Sequence, residues 1–129
     1  MKLRNIAFMT VVLVFILSSP AASQDWVDIK DPKELLALHS NKTFRFTLNQ
    51  APAADHFRAD GKGIFISGEQ RVLFTWEVKG NGEVCLTFEG GTGCWQYQRS
   101  KKNPDEYVKR NLSNARMVVF KVEDGIPQF

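Results

Sequence analysis

The sequence is poor in the residues from which recognisable catalytic and metal sites are built. It has two cysteines and two histidines in 129 residues, and two histidines without carboxylates at a matching spacing do not form a metal-site pattern. It contains no Gly-x-Ser-x-Gly nucleophile motif. We therefore expect no metal, no cofactor and no enzymatic activity, with His39 and His56 exposed on loop and strand. The alternative, a hydrolase, would need one of them beside a carboxylate in a cleft.

A strong net charge is also missing. The full chain has 17 Lys and Arg against 14 Asp and Glu, a net charge of +3. Two of these bases, Lys2 and Arg4, belong to the N-terminal leader described next, and without them the balance is 15 against 14, or +1. Such a domain does not attract a polyanion through its net charge, so no nucleic-acid partner is expected.

No hydrophobic run is long enough to span a membrane as a helix. The longest, Ile6 to Leu17, has about a dozen residues, whereas a transmembrane helix needs about 20. It follows the basic Lys2 and Arg4 and precedes the small residues Ala21-Ala22-Ser23, which is the pattern of a secretory signal peptide. We predict that residues 1–23 are removed, with a cut after Ala21 as the alternative. The mature protein would then be periplasmic or extracellular, without a transmembrane segment.

One short helix is predicted at the start of the remaining domain, residues 24–129. Asp31 suits the N-cap, Pro32 the first helical position, and Glu34 completes a capping-box pattern. Leu35, Leu36 and Leu38 supply an apolar face, and the helix ends near residues 39–41. We expect it to act as a lid or plug on a β domain.

Short strands make up the rest of the domain. Residues alternate between apolar and polar, and turn signals recur every 8–12 residues, which is typical of an antiparallel meander in a sandwich or a small up-and-down barrel. Pro52 places residues 49–53 in a loop. The seven or eight predicted strands include residues 43–48, 55–59, 63–67, 71–79, the two arms of a hairpin at 83–99, 106–110 and 116–122.

The hairpin predicts a disulfide. If Glu89-Gly90 is a two-residue turn, Cys85 lies opposite Cys94 on the outer face, while the apolar rows of both strands face inward. Opposed residues in a strand pair are close enough for a disulfide after small adjustment. A longer turn over Gly90-Gly91 would break this match. Since the two cysteines are the only ones in an exported chain, we expect them to be bonded to each other.

The same region carries a resemblance to a known family. Trp76, Gly82, Cys85-Leu86 and Cys94-Trp95-Gln96-Tyr97 are similar to a pattern in small exported proteins of alphaproteobacteria, a domain-of-unknown-function family that resembles lipocalin-like half-barrels. Asn41-Lys42-Thr43-Phe44 and the Asp60-Gly61 turn fit the pattern as well, and the resemblance covers roughly residues 33–110. It implies a lipocalin-like barrel and carries no known biochemistry.

Aromatic residues dominate the predicted inner face. They suggest a cavity for a small apolar or amphipathic ligand, because barrels of about eight strands can enclose one. The alternative is that the rings simply fill a narrow core. The candidate ligand-lining residues are Phe44, Phe46, Phe74, Trp76, Phe88, Trp95, Tyr97 and Phe120.

A basic cluster near the C-terminus is the second candidate site. It could meet an anionic surface, or it could be a solvated hairpin tip diluted by Asp105 and Glu106. Its members are Arg99, Lys101, Lys102, Lys109 and Arg110. The sequence leaves the function open, and we carry two hypotheses: a periplasmic binding or accessory module for a small apolar or amphipathic ligand, and, as the alternative, an envelope protein-interaction module such as an inhibitor of an exported hydrolase.

Overall fold

The computed structural model describes residues 25–129. The predicted signal peptide and its cleavage site lie outside these residues. The described chain consists of a short strand, one helix and eight further strands: β1 (Trp26–Ile29), α1 (Pro32–His39), β2 (Lys42–Leu48), β3 (Ala51–Phe57), β4 (Lys62–Ser67), β5 (Gln70–Val78), β6 (Glu83–Phe88), β7 (Gly91–Ser100), β8 (Glu106–Asn111) and β9 (Met117–Asp124).

Strands β2 to β9 form a closed antiparallel barrel. Each strand pairs with the next along the chain, and β9 pairs back onto β2 to close the sheet. The predicted up-and-down barrel with one short helix is confirmed, and the sandwich alternative is excluded. Sequence reasoning missed β1, which pairs with the last four residues of β7, from Tyr97 to Ser100.

The β6–β7 hairpin has the predicted register. Phe88 lies opposite Gly91, Cys85 opposite Cys94, and Val84 opposite Trp95. The two cysteines form a disulfide, with their Cα atoms 4.0 Å apart. A disulfide of this kind is typical of proteins in oxidising compartments.

Helix α1 plugs one end of the barrel, and its buried face matches the prediction only in part. Asp31 caps it by accepting a hydrogen bond from the Lys33 backbone N–H at 3.0 Å. Leu35 is fully buried and Leu38 packs against the core, but Leu36 is half exposed. His39 lies on the buried face, four residues after Leu35, because a helix returns to the same face every 3.6 residues. The leucines alone did not indicate which face of the helix is buried.

The loop predicted for residues 49–53 is wrong. Asn49 and Gln50 form a two-residue turn, both with positive φ (51° and 67°), and β3 begins directly after it at Ala51. This conformation is typical of the tight turns that connect hairpin strands. Pro52 is tolerated in β3 because pairing with β4 begins only at Ala54, so its missing N–H removes no hydrogen bond on that side.

The core lies inside the barrel. Side chains alternate along each strand, and the inward rows meet in one apolar cluster. All eight aromatic residues predicted to face inward are in this cluster or packed against it: Phe44, Phe74, Trp76, Tyr97 and Phe120 are buried, and Phe46, Phe88 and Trp95 are partly buried.

Candidate functional site

The interior of the barrel has a filled end and an open end. Helix α1 closes the filled end, where His39 lies among aromatic rings. Its ring centroid is 4.7 Å from those of Phe44 and Phe57, 4.9 Å from that of Tyr97 and 5.5 Å from that of Trp76. The rings at this end are therefore core, as the second reading of the aromatic pattern proposed.

His39 is a neutral residue of this core. Its Nδ1 donates to the Leu35 carbonyl oxygen at 2.8 Å, and its Nε2 has no hydrogen-bond partner among the described residues. Complete burial, opposed by the bond to Leu35 and aided by the positive charge of Lys109, lowers the pKa of His39 from 6.5 to about 3. The expectation that His39 is exposed is therefore wrong.

His56 is buried as well, so the same expectation is wrong for both histidines. The Thr43 hydroxyl donates its only hydrogen to the Gly125 carbonyl oxygen at 2.7 Å. His56 Nδ1 is also 2.7 Å from Thr43 Oγ1, so in this second hydrogen bond the histidine N–H donates and the hydroxyl oxygen accepts. Burial first, and then the charge of Arg45, lower the pKa of His56. Within residues 25–129 neither histidine hydrogen-bonds a carboxylate, and the hydrolase alternative has no catalytic pair there.

A cavity occupies the open end of the barrel, and we call it the mouth cavity. Its volume is about 190 Å³. It lies beneath the turns that connect β2–β3, β4–β5, β6–β7 and β8–β9, opposite the helix. Its lining is apolar apart from three charged residues and consists of Phe46, Leu48, Asp55, Phe65, Leu86, Phe88, Trp95, Lys109, Arg116 and Val118.

A buried ion pair contributes to the lining of the mouth cavity. Lys109 Nζ lies 3.2 Å from Asp55 Oδ2, and each side chain is only 4% exposed. Asp55 projects from β3 and Lys109 from β8, so the pair spans the barrel interior. The ammonium group also lies over two rings, 4.4 Å from the Trp95 centroid and 5.4 Å from that of Phe46.

The β2–β9 pairing that closes the barrel stops short beside this cavity. Strands β2 and β9 pair only from Lys42–Asp124 to Arg45–Lys121, so the second half of β2 and the first half of β9 separate. The groove between them has a volume of about 610 Å³ and shares Phe46, Arg116 and Val118 with the mouth cavity. Arg116 is exposed at this opening.

The predicted ligand-lining set is divided between the two ends. Phe46, Phe88 and Trp95 line the mouth cavity. Phe74 lies between the two ends of the barrel, because its ring centroid is 5.4 Å from that of Phe57 and 5.1 Å from that of Phe88. The other four rings belong to the filled core: Phe44, Trp76, Tyr97 and Phe120. Sequence reasoning missed the remaining lining residues, although the inward alternation of β2 and β6 included Leu48 and Leu86. Nothing local indicated that Asp55 and Lys109 meet.

The predicted basic cluster does not form one surface. Lys109 is inside the barrel, which corrects its assignment to an anionic surface. Arg99 pairs with Glu34 of α1, and Lys102 Nζ lies 3.7 Å from Asp25. Arg110 donates to Gln96 at 2.7 Å, and Lys101 is exposed. For these four residues, binding to an anionic surface stays a prediction.

Glu83, Cys85 and Cys94 lie close enough together to resemble a metal site. However, the two sulfurs are bonded to each other and offer no thiolate, which is the form that binds metals. This cluster is therefore a disulfide with a neighbouring carboxylate.

The only helix among the described residues, α1, is too short and too polar to cross a membrane. The resemblance to the alphaproteobacterial exported family stays a prediction. Comparisons with known proteins add no family to this geometry, because no family model, no curated protein and no solved structure matches the chain.

Proposed function

We propose that this protein is a periplasmic binding module of lipocalin-like type that takes a small amphipathic molecule into the mouth cavity. One observation carries the proposal: an apolar cavity at the open end of the barrel with a buried ion pair, Asp55–Lys109, in its lining. Ligand sites in proteins are typically apolar, with a few placed polar groups that orient the ligand.

The contribution of this ion pair to folding stability does not explain why it is there. Removing two charges from water is costly, and replacing a buried ion pair with apolar residues of similar volume is often neutral or stabilising. An apolar pair at positions 55 and 109 would match the surrounding rings of Phe46, Phe65 and Trp95. Charges retained beside a cavity are instead what a binding site for a partly polar molecule requires.

Binding is tested by ligand titration with two matched variants. Val118 faces the mouth cavity, while Val119 points outward and is 51% exposed. Val118→Phe adds a ring inside the cavity, and Val119→Phe adds the same ring outside it. Thermal-shift screening with small phenyl-alkyl and terpenoid compounds should give hits that V118F abolishes and V119F retains.

Trp95 provides a direct signal because it lines the cavity, whereas Trp76 is buried in the filled end and Trp26 lies on β1, outside the cavity lining. Ligands should change the fluorescence of the wild type and leave Trp95→Phe unchanged in emission. An absence of any saturable binding across the set, or equal binding to wild type and V118F, would refute the proposal.

A second candidate is an envelope protein-interaction module, such as an inhibitor of an exported hydrolase. It is supported by an apolar outer strip on β9, where Met117 and Val119 are each more than half exposed beside the open groove. Such strips often mark protein contacts. Met117→Ser with Val119→Thr should abolish co-purification of an envelope partner. If the double variant recovers the same partners as the wild type, this candidate fails.

A further inference from the structure

We infer that the ligand of the mouth cavity is a small aryl-alkyl carboxylate whose acid group binds Lys109 and whose ring packs among the aromatic side chains. This inference rests on the proposed function and adds the chemical class of the ligand. It follows from the charges around the cavity, from the Lys109 donors that lack an oxygen partner within the described part of the chain, and from the cavity's size.

The charges at the cavity favour an anion. The lining contains two cations, Lys109 and Arg116, and one anion, Asp55. The net charge of the lining is therefore positive, with one cation buried and the other exposed at the opening. A negatively charged head group gains from this field, which acts strongly where water is excluded.

Lys109 has donors to offer. An ammonium group carries three N–H donors, and the structure shows one hydrogen bond to an oxygen of the described residues, from Lys109 Nζ to Asp55 Oδ2 at 3.2 Å. Its other contacts are the faces of Trp95 and Phe46, which attract a cation without accepting a conventional hydrogen bond. A carboxylate oxygen in the cavity would accept from the N–H donors that have no oxygen partner among residues 25–129.

The same contacts argue against a cationic ligand. Aromatic residues around a pocket can form a cage for an ammonium group. Here Lys109 places its own ammonium 4.4 Å from the Trp95 centroid, so this position is already occupied.

The size of the cavity and its closed inner end argue against a long acyl chain buried along the barrel axis. Its volume of about 190 Å³ lies below the roughly 300–1,000 Å³ that is typical of pockets for drug-sized ligands. The barrel beyond it is filled by the buried Phe44, Tyr97 and Phe120, so a chain cannot extend toward the helix. One aromatic ring on a short acidic arm matches both the volume and the rings of Phe65, Phe88 and Trp95.

Three probes of similar shape test the inference: 3-phenylpropionate, 3-phenylpropanol and 3-phenylpropylamine. Their dissociation constants are measured by calorimetry at neutral pH and low salt, on the protein purified after export with its disulfide formed. We expect the acid to bind at least about tenfold more tightly than the alcohol, and the amine to bind most weakly.

Three variants should change the preference for the acid over the alcohol, each in a stated direction. Lys109→Met should bring the acid-to-alcohol affinity ratio to about one, Arg116→Gln should lower it a few fold, and Asp55→Asn should raise it by removing the competing carboxylate. Since Lys109→Met leaves Asp55 buried without a partner and can prevent folding, the double variant Asp55→Asn/Lys109→Met serves as its replacement.

The outcomes separate this inference from the proposed function. Equal binding of the three probes would refute the carboxylate preference while leaving a binding cavity. Tightest binding of the amine would make Asp55 the head-group partner and overturn the inference. If none of the probes binds, and the broader ligand screen is also empty, both fail. A ratio that rises in D55N and falls in R116Q supports it, because a merely structural ion pair would change all three affinities together.

Discussion

His39 makes the stability of this protein depend on mild acid in a way that can be calculated. In the folded state its pKa is about 3 because the ring is completely buried, whereas in the unfolded chain it has the ordinary value of 6.5. The unfolded state therefore binds a proton more readily. The stabilisation is fully present above pH 6.5 and is lost as the pH falls from 6.5 toward 3.

The size of the effect follows from these two values. A separation of about 3.5 units corresponds to about 5 kcal/mol over the whole range, at 1.36 kcal/mol for each unit. Between pH 7 and pH 5 the unfolding free energy falls by about 2 kcal/mol. This is less than two full pH units would give, because the histidine of the unfolded chain is still mostly neutral at pH 7. The depressed pKa of His56 adds a loss of the same sign.

The assay is urea unfolding at pH 7, 6 and 5, monitored by circular dichroism. His39→Leu removes the titrating group at similar volume and should reduce the loss of unfolding free energy between pH 7 and pH 5 by about 2 kcal/mol. His56→Gln is the matched control, in which the His39 contribution persists. At pH 7, H39L should be no less stable than the wild type, because it also removes the unpartnered Nε2 from the core.

Nuclear magnetic resonance tests the same reasoning without a variant. The His39 ring signals of the folded protein should not shift between pH 8 and pH 5. A titration midpoint near 6.5, or unfolding curves of H39L that depend on pH as steeply as those of the wild type, would refute the calculation.

Two further predictions concern the barrel itself. Replacing Cys85 and Cys94 by alanine should lower the unfolding free energy by about 2–3 kcal/mol in the chain-entropy model, measured by urea denaturation, whereas an unchanged midpoint would contradict the role of the cross-link. Gly63→Ala should destabilise by about 2 kcal/mol or more, because its Cβ would overlap the Phe74 ring and lie 2.9 Å from a backbone oxygen. Gly80→Ala, where nothing lies within 4 Å of the new Cβ, is the control and should melt within a few degrees of the wild type.

Local patterns were sufficient where one segment of chain carries the whole signal. The register of the 83–99 hairpin followed from its alternation and its turn, and it placed Cys85 opposite Cys94 as the structure has them. The cap of α1 at Asp31 was equally local. In both cases the interacting residues are neighbours in sequence, so their geometry depends little on the rest of the fold.

Sequence patterns gave wrong predictions where the environment of a residue depends on elements that are distant in sequence. Pro52 predicts a loop, but it lies in β3, where it is tolerated because β3 has no β4 partner at that position. His39 is expected to be exposed, whereas it lies on the buried face of α1, inside the core. Propensity describes a residue's usual environment, and the packing of other elements decides the actual one.

The sequence by itself determined the antiparallel meander, the inward aromatic rows and the disulfide, because alternation and turns are short-range properties of the chain. Only the tertiary structure decided that the barrel closes between β9 and β2, that α1 fills one end, and that a cavity remains at the other. It also brought Lys109 to Asp55, which are 54 residues apart in sequence. Which side chains meet across a closed sheet depends on the curvature and stagger of all eight strands together, and no single segment contains that information.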